Sequence, residues 1–157
     1  MTPNPYGDDL AGRDPLQAYT RTAEEIGELV EGWPPDRFER SYAPGKWSAR
    51  RILIHLAQTE IGLTTRARLA LTISDYQAQP FSQDDWLPLD DRAGARAALD
   101  AYTSLRRLNA AMFASLTPDQ LAIPFRHPEY GLLYVGWILA QMAGHDIHHL
   151  KQLKTIE

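Results

Sequence analysis

The chain has 157 residues, 44% of them hydrophobic, which is enough apolar material to fill the core of one ordinary domain. It contains no cysteine, which excludes disulfide frameworks, thiolate nucleophiles and sulfur-ligated zinc or iron–sulfur sites. A net charge of −4 argues against nucleic-acid binding, and no apolar run approaches the ~20 residues that span a bilayer.

The N-terminal residues differ in character from the rest of the chain. Residues 1–14 are polar and rich in turn formers, so we predict a flexible arm outside the core. They lack the basic start and apolar middle of a secretory signal, which favours a cytoplasmic protein. Residues 15–157 are predicted to form a single helical domain. Its first helix has apolar residues three or four apart from Leu16 to Trp33 and ends before a Pro-Pro dipeptide.

The second periodic segment carries polar residues on its inward face. Ser48 is predicted to cap this helix, which extends to about Ile73. Its inward stripe includes His55 and Arg66. The stretch SDYQAQPFSQDDWLPLD then breaks all periodicity with two prolines. It is long for a connection between bundle helices, so we predict a lid or rim over a site.

Two more helices complete the predicted architecture. Asp90 or Asp91 is predicted to cap the third helix, whose apolar stripe reads Ala95, Leu99, Tyr102, Leu105, Leu108, Met112 and Leu116. TPDQ, starting at Thr117, resembles a capping box that opens a short turn of helix. The last helix is predicted to start near Leu133 and to run almost to the C-terminus. Since no strand pattern competes, the sequence predicts an all-α four-helix bundle.

Three histidines are candidates for a metal site. His145 and His149 are four residues apart on the last helix, so their rings project from nearly the same side, one turn apart. A single histidine on an apolar face, such as His55, is commonly a core residue bonded to a carbonyl. Three buried imidazoles without partners, however, would cost about 1–3 kcal/mol each, which a metal ion offsets. We therefore predict a divalent metal ion on His55, His145 and His149.

The neighbours of this triad leave one alternative open. His148 could replace His149 if the last helix were rotated, but His149 shares the stripe of His145. His148 and Gln152 are therefore predicted to lie behind the ligands, where Gln152 can orient a ring. His127, beside a proline, is predicted to be an exposed loop residue. The carboxylates Glu60 and Asp146 are poorly aimed at the metal on straight helices.

Two stretches carry a resemblance to a known family. GKWSARRILIHLAQTE, around His55, and YGLLYVGWILAQMAGHDIHHLKQL, near the C-terminus, resemble the DinB-like (YfiT-like) family over residues 16–153. The resemblance implies a four-helix bundle with one histidine from the second helix and two ligands from the fourth, here His55, His145 and His149. Members of this family often pair as homodimers, so the resemblance allows a homodimer here, and the family's name does not imply DNA contact. Characterised relatives activate a low-molecular-weight thiol, such as bacillithiol or mycothiol, at the metal.

Three functions follow as hypotheses. Three neutral imidazoles leave coordination positions open, as in catalytic sites, and Zn²⁺, Ni²⁺, Fe²⁺ and Mn²⁺ all suit nitrogen ligands. The leading hypothesis is a thiol-dependent S-transferase for a small molecule, with a substrate rim at Gln83 to Trp86 and at Tyr130-Gly131. Arg66 is expected to make an ordinary salt bridge or to bind a substrate carboxylate. The alternatives are a metal-dependent hydrolase and a non-catalytic metal-binding bundle for stress response.

Overall fold

The fold, described for residues 2–157 by a computed structural model, is a bundle of four long helices. Helix α3 (Ala49–Thr72) lies against α5 (Ala95–Ala114), α2 (Pro15–Val30) lies against α7 (Val135–Lys154), and both pairs also contact each other. The predicted four-helix bundle is therefore confirmed. None of the helices in these residues is both long and apolar enough to cross a membrane. The helices are α1 (Gly7–Leu10), α2 (Pro15–Val30), α3 (Ala49–Thr72), α4 (Gln83–Trp86), α5 (Ala95–Ala114), α6 (Pro118–Leu121) and α7 (Val135–Lys154).

Several helix starts are set by local capping. The Ser48 side chain accepts a hydrogen bond from the backbone N–H of Arg51, as predicted for the start of α3. Thr117 and Gln120 form the predicted capping box of α6, in which each side chain binds the other residue's backbone N–H. These starts were predictable because each depends on only a few neighbouring residues.

Helix α5 differs from its prediction in both its start and its inward face. It begins at Ala95 after Gly94, whereas Asp90 lies in a 3₁₀ helix and Asp91 pairs with arginines of α3. The inward face turns polar beyond Tyr102, so Leu108, predicted inside, is 62% exposed. The buried positions are instead Arg106, Asn109 and Phe113. The apolar periodicity of the sequence predicted the wrong face of α5 to be buried, because the buried face contains the charged residue Arg106.

A small β-hairpin precedes the last helix. Strands β1 (Pro124–His127) and β2 (Gly131–Tyr134) pair antiparallel, so GLLY is a strand and not the start of a helix as predicted. Gly131 has a φ of 71°, a left-handed conformation that suits glycine at the turn. Helix α7 consequently begins two residues later than expected, at Val135.

The N-terminal segment packs on the bundle, whereas the sequence predicted an arm. Helix α1 lies against α7, and Leu10 is buried. The backbone of Tyr6 approaches Gly144 so closely that a Cβ there would collide with the Tyr6 carbonyl. The ring of Tyr6 lies 5.1 Å from that of His145. This segment therefore forms one wall of the site described below.

The core consists of two apolar clusters with a polar layer between them. One cluster surrounds residues such as Phe38 and Leu53, and the other surrounds Phe113 and Ile138. Buried polar residues of α3, α5 and α7 lie between the two clusters along the helices. They are His55, Glu60, Arg106, Asn109, His145, Asp146 and His149. The bundle thus places its buried polar and titratable side chains near the middle of its long axis.

Candidate metal centre

The three predicted ligands meet at one point inside the bundle. His55 comes from α3, His145 and His149 come from α7, and all three are buried. The Nε2 atom of His145 lies 2.8 Å from that of His55 and 3.1 Å from that of His149. Two nitrogens bound to one ion at about 2.0–2.1 Å lie roughly 2.9 Å apart at a right angle and roughly 3.4 Å apart at a tetrahedral angle. The spacing therefore suits a shared ion.

Hydrogen bonds behind two of the rings aim their lone pairs at this point. The Nδ1 atom of His145 lies 3.2 Å from a carboxylate oxygen of Asp146, and that of His149 lies 2.7 Å from Oε1 of Gln152. Because these oxygens only accept, both Nδ1 atoms carry a proton, and in a neutral ring the Nε2 atom then carries a lone pair. Facing lone pairs repel each other unless a cation lies between them. The donor set thus fits a metal ion.

Gln152 also contacts the remaining histidine of α7. Its Nε2 lies 3.0 Å from Nε2 of His148, which fixes the amide so that its oxygen faces His149. His148 itself is partly exposed and pairs with Asp9 of the N-terminal segment. The positions of Gln152 and His148 are therefore suited to orienting the ring of His149.

Burial keeps the rings of His55 and His149 neutral. It lowers the pKa of His55 to about 3, and the nearby His145 lowers it further. Burial, with His145 and His55, also holds the pKa of His149 well below its ordinary value. Neutral imidazole is the form that binds metal ions, so the site is ready for a metal at neutral pH.

A buried ion-pair network lies behind His145. Arg106 donates from Nε and Nη2 to Oε1 of Glu60 at 2.8 and 2.6 Å, and from Nη2 to Oδ2 of Asp146. The hydroxyls of Tyr19 and Tyr102 donate to Glu60 and Asp146 at 2.6 and 2.8 Å. Burial alone would raise the pKa of Asp146, but Arg106 and His145 hold it well below its usual range. Both carboxylates are thus fully occupied.

Sequence reasoning set Glu60 and Asp146 aside as bases but missed the network that they form. Arg106 and Asn109 lie four and seven residues after Tyr102, so they continue its face of α5. This spacing could have revealed the network from the sequence, but only if a charged residue had been accepted at a core position of α5.

Two cavities reach the triad from different sides. The first, called the Arg66 cavity, has a volume of about 230 Å³ and is lined by His55, His145, Thr59, Leu63, Arg66, Phe81, His127, Glu129, Tyr130 and Gln141. The second, called the Trp47 cavity, has a volume of about 350 Å³ and is lined by His149, Tyr42, Gly45, Lys46, Trp47, His148 and Gln152. Tyr6 and Gln83 line both cavities. The N-terminal segment and α4 therefore lie at the boundary between them.

The residues predicted as a substrate rim are only partly at these cavities. Gln83 and Tyr130 line them as expected, whereas Trp86 packs against Phe81, with ring centroids 4.8 Å apart, away from the triad. His127 was predicted to be exposed and is in fact 6% exposed. Its Nδ1 accepts hydrogen bonds from the backbone N–H groups of Glu129 and Tyr130, which turns the ring inward.

Comparison with known proteins supports the family inferred from the two sequence stretches. Residues 18–153 match the DinB superfamily. The chain belongs to this superfamily. "Putative metal-dependent hydrolase OB0782" of Oceanobacillus iheyensis is 25% identical over 146 residues, which cover 90% of this chain and 85% of the relative. A similarly named protein of Bacillus mycoides is 23% identical over 142 residues, covering 90% and 82%.

Two solved structures share the fold. YfiT from Bacillus subtilis, described as "a probable metal-dependent hydrolase with an unusual four-helix bundle topology", superposes with a TM-score of 0.82 at 22% identity, covering 90% of this chain and 83% of that one. A mycothiol-dependent maleylpyruvate isomerase superposes with a TM-score of 0.72 at 13% identity, covering 88% and 59%. The predicted family and fold are therefore confirmed. A homodimer and a cytoplasmic location stay predictions.

Proposed function

We propose that this DinB-superfamily protein is a metal-dependent S-transferase. The sulfur of a low-molecular-weight thiol such as bacillithiol would lose its proton and form a bond to a small electrophilic substrate, from which a leaving group such as chloride departs. The observation that carries the proposal is that two cavities reach the histidine triad, one at His55 and His145 and the other at His149. A transfer reaction brings two substrates to one ion, whereas hydrolysis needs one substrate and water. Two separate cavities that reach the triad therefore suit a transfer reaction.

The chain's own residues would hold the ion and shield it. His55, His145 and His149 offer three nitrogen ligands, which leaves positions on the ion open for other ligands. A divalent ion bound there acts as a Lewis acid that lowers the pKa of a coordinated thiol. Trp47 covers one side, with its ring 5.0 Å from that of His55, and Tyr6 covers another, which limits access of water.

The sulfur must come from outside the protein, because the chain has no cysteine. The Trp47 cavity is the larger of the two and carries the exposed cation Lys46 at its edge, so it suits the longer thiol cosubstrate. The Arg66 cavity is smaller and suits the electrophile. In this arrangement the two substrates meet at the triad from opposite sides.

A metal-dependent hydrolase is the second candidate, and the names of the relatives favour it. Such an enzyme needs a carboxylate base near the attacking water. Glu60 and Asp146 are both held by Arg106, so they are not free to take a proton. Among residues 2–157, the carboxylate that shares a cavity with the triad is Glu129, which is exposed on the hairpin turn. A hydrolase would therefore depend on Glu129.

The deciding experiment compares the two reactions on one preparation. Protein loaded in turn with Zn²⁺, Ni²⁺, Fe²⁺ or Mn²⁺ is incubated with monochlorobimane and a panel of bacillithiol, mycothiol, glutathione and coenzyme A. We expect thiol conjugation that requires the metal and is lost in His149→Ala. Matched reactions with chelator-treated protein and with free metal are the controls.

The opposite result is equally specific. If no thiol in the panel gives metal-dependent conjugation, the transferase proposal fails. Thiol-independent cleavage of an ester and amide panel that is lost in Glu129→Gln would then establish the hydrolase. If Glu129→Gln leaves ester cleavage unchanged, the base is not the residue that the structure offers.

A further inference from the structure

Arg66 is a buried cation with no ion-pair partner among residues 2–157. It is 8% exposed, lines the Arg66 cavity together with His55 and His145, and donates from Nη2 to the backbone carbonyl of Gln79 at 2.7 Å. It forms no ion pair with any residue of the chain from position 2 onward, although Glu129 acts on its charge from a distance, so the ordinary salt bridge expected from the sequence is not formed. Burying an unpaired charge is costly, and buried charges in proteins are ordinarily paired, so a bound anion would relieve this cost.

His127 places a second hydrogen-bond donor on the same cavity. Its Nδ1 accepts from the backbone N–H groups of Glu129 at 3.2 Å and Tyr130 at 3.4 Å. Burial and the nearby Arg66 lower the pKa of His127, so the ring is neutral and its single proton is on Nε2. That N–H has no hydrogen-bond partner within residues 2–157. A guanidinium and an imidazole N–H thus share one small cavity with two candidate metal ligands.

We propose that Arg66 and His127 form a carboxylate-binding subsite, and that the electrophilic substrate is a small monocarboxylic acid. Its carboxylate is held by these two donors, while the rest of the molecule extends to the triad. The charged fork of arginine matches the two oxygens of a carboxylate. The identity of the reaction rests on the function proposed above, whereas the subsite rests on Arg66 and His127 alone.

The cavity also limits the size and charge of this ligand. Its volume of about 230 Å³ is below the roughly 300–1,000 Å³ of pockets for drug-sized ligands, so the acid is small. Glu129 lies on the same cavity and adds a negative charge, which disfavours doubly charged groups such as phosphate monoesters. A single carboxylate is therefore the anion that best fits the site.

Binding measurements with matched probes test the subsite. Benzoate, benzamide and phenyl phosphate are titrated by calorimetry into metal-loaded and metal-depleted protein. We expect benzoate to bind at least about 10-fold more tightly than benzamide or phenyl phosphate, with or without metal. Arg66→Gln should weaken benzoate binding about 10- to 100-fold and remove the preference over benzamide. Arg126→Gln, the same charge change on the exposed face of β1, should leave binding unchanged.

Two further variants keep the test valid if Arg66→Gln does not fold. Arg66→Lys keeps the charge but loses the fork, and His127→Gln removes the imidazole donor. Each should weaken benzoate binding while leaving the circular dichroism spectrum of the protein unchanged. If both bind benzoate as the unmodified protein does, the proposal is overturned.

Other outcomes separate this proposal from the transferase proposal. Benzoate binding that disappears on metal removal but survives Arg66→Gln would show that the carboxylate binds the ion, which overturns the subsite. Tighter binding of phenyl phosphate would overturn the choice of a carboxylate. Arg66-dependent benzoate binding in a protein that conjugates no thiol would leave the subsite standing and the transferase refuted.

Discussion

Asp146 joins the histidine triad to the buried network, so replacing it with asparagine tests whether the network serves the metal site. Its Oδ1 lies 3.2 Å from Nδ1 of His145, and its Oδ2 accepts from Tyr102 and from Arg106. The asparagine side chain would have nearly the same shape but no charge. Its NH₂ group would also face a donor at one of the two oxygen positions, because all of these partners donate.

The expected magnitudes follow from these contacts. Removing one partner of a buried ion pair costs about 3–5 kcal/mol. Arg106 keeps Glu60, so we expect the lower end of this range, about 3 kcal/mol. Loss of a hydrogen bond behind a metal-binding histidine typically costs 10- to 100-fold in metal affinity, which is about 1.4–2.7 kcal/mol. The two effects can be measured separately on the same variant.

Glu60→Gln is the matched control. It removes the other negative charge from Arg106 but touches none of the three histidines through a hydrogen bond. Urea unfolding in the presence of chelator should show similar destabilisation of Asp146→Asn and Glu60→Gln. Competition with a chromophoric chelator should show weaker metal binding in Asp146→Asn alone. Equal metal affinities in the two variants would refute the reasoning, because the contact to His145 would then have no effect.

Three other predictions address the ligand set, the pH dependence and the N-terminal segment. His149→Ala should lower the metal content, measured by mass spectrometry, to below about a tenth of an ion per chain. His148→Ala should retain the metal, because that side chain is 43% exposed. If His148→Ala lost the metal and His149→Ala kept it, His148 would be the ligand. In metal-free protein the pKa of His55 is about 3 when folded and ~6.5 when unfolded, so the unfolded chain takes up the proton first as the pH falls. The contribution of His55 to stability should be full above pH ~6.5 and fall by about 1.4 kcal/mol per pH unit below it, and an unchanged slope in His55→Gln would contradict this. Gly144→Ala should displace Tyr6 and speed amide hydrogen exchange in the N-terminal segment, which an unchanged exchange rate would disprove.

The triad could be predicted because its determinants are local. The four-residue spacing of His145 and His149 fixes their common side on any straight helix, and His55 lies on a stripe set by apolar neighbours. The Ser48 cap likewise depends on a few adjacent residues. The packing of α3 against α7 then only had to bring His55 next to His145 and His149.

Other features depended on partners that are distant in the sequence. Arg106 is buried because it pairs with Glu60 of α3 and Asp146 of α7, which are distant in the sequence. Apolar periodicity takes no account of these partners, so it predicted that Leu108 would be buried instead. The burial of His127 depends on backbone N–H groups that point at it only once the hairpin turn has formed. The strands of that hairpin have four residues each, which is too short for a two-residue period to be distinguished from a helical one.

The charges of the polar layer link the metal site to the stability of the fold. Glu60 and Asp146 bring two negative charges against the single positive charge of Arg106, so the buried network carries one excess negative charge. A divalent ion bound to the three histidines would place positive charge beside Asp146 through the ring of His145. The same excess charge that weakens the metal-free bundle therefore strengthens metal binding. Ion binding and folding should be coupled through Asp146, more strongly than through the exposed charges of the surface.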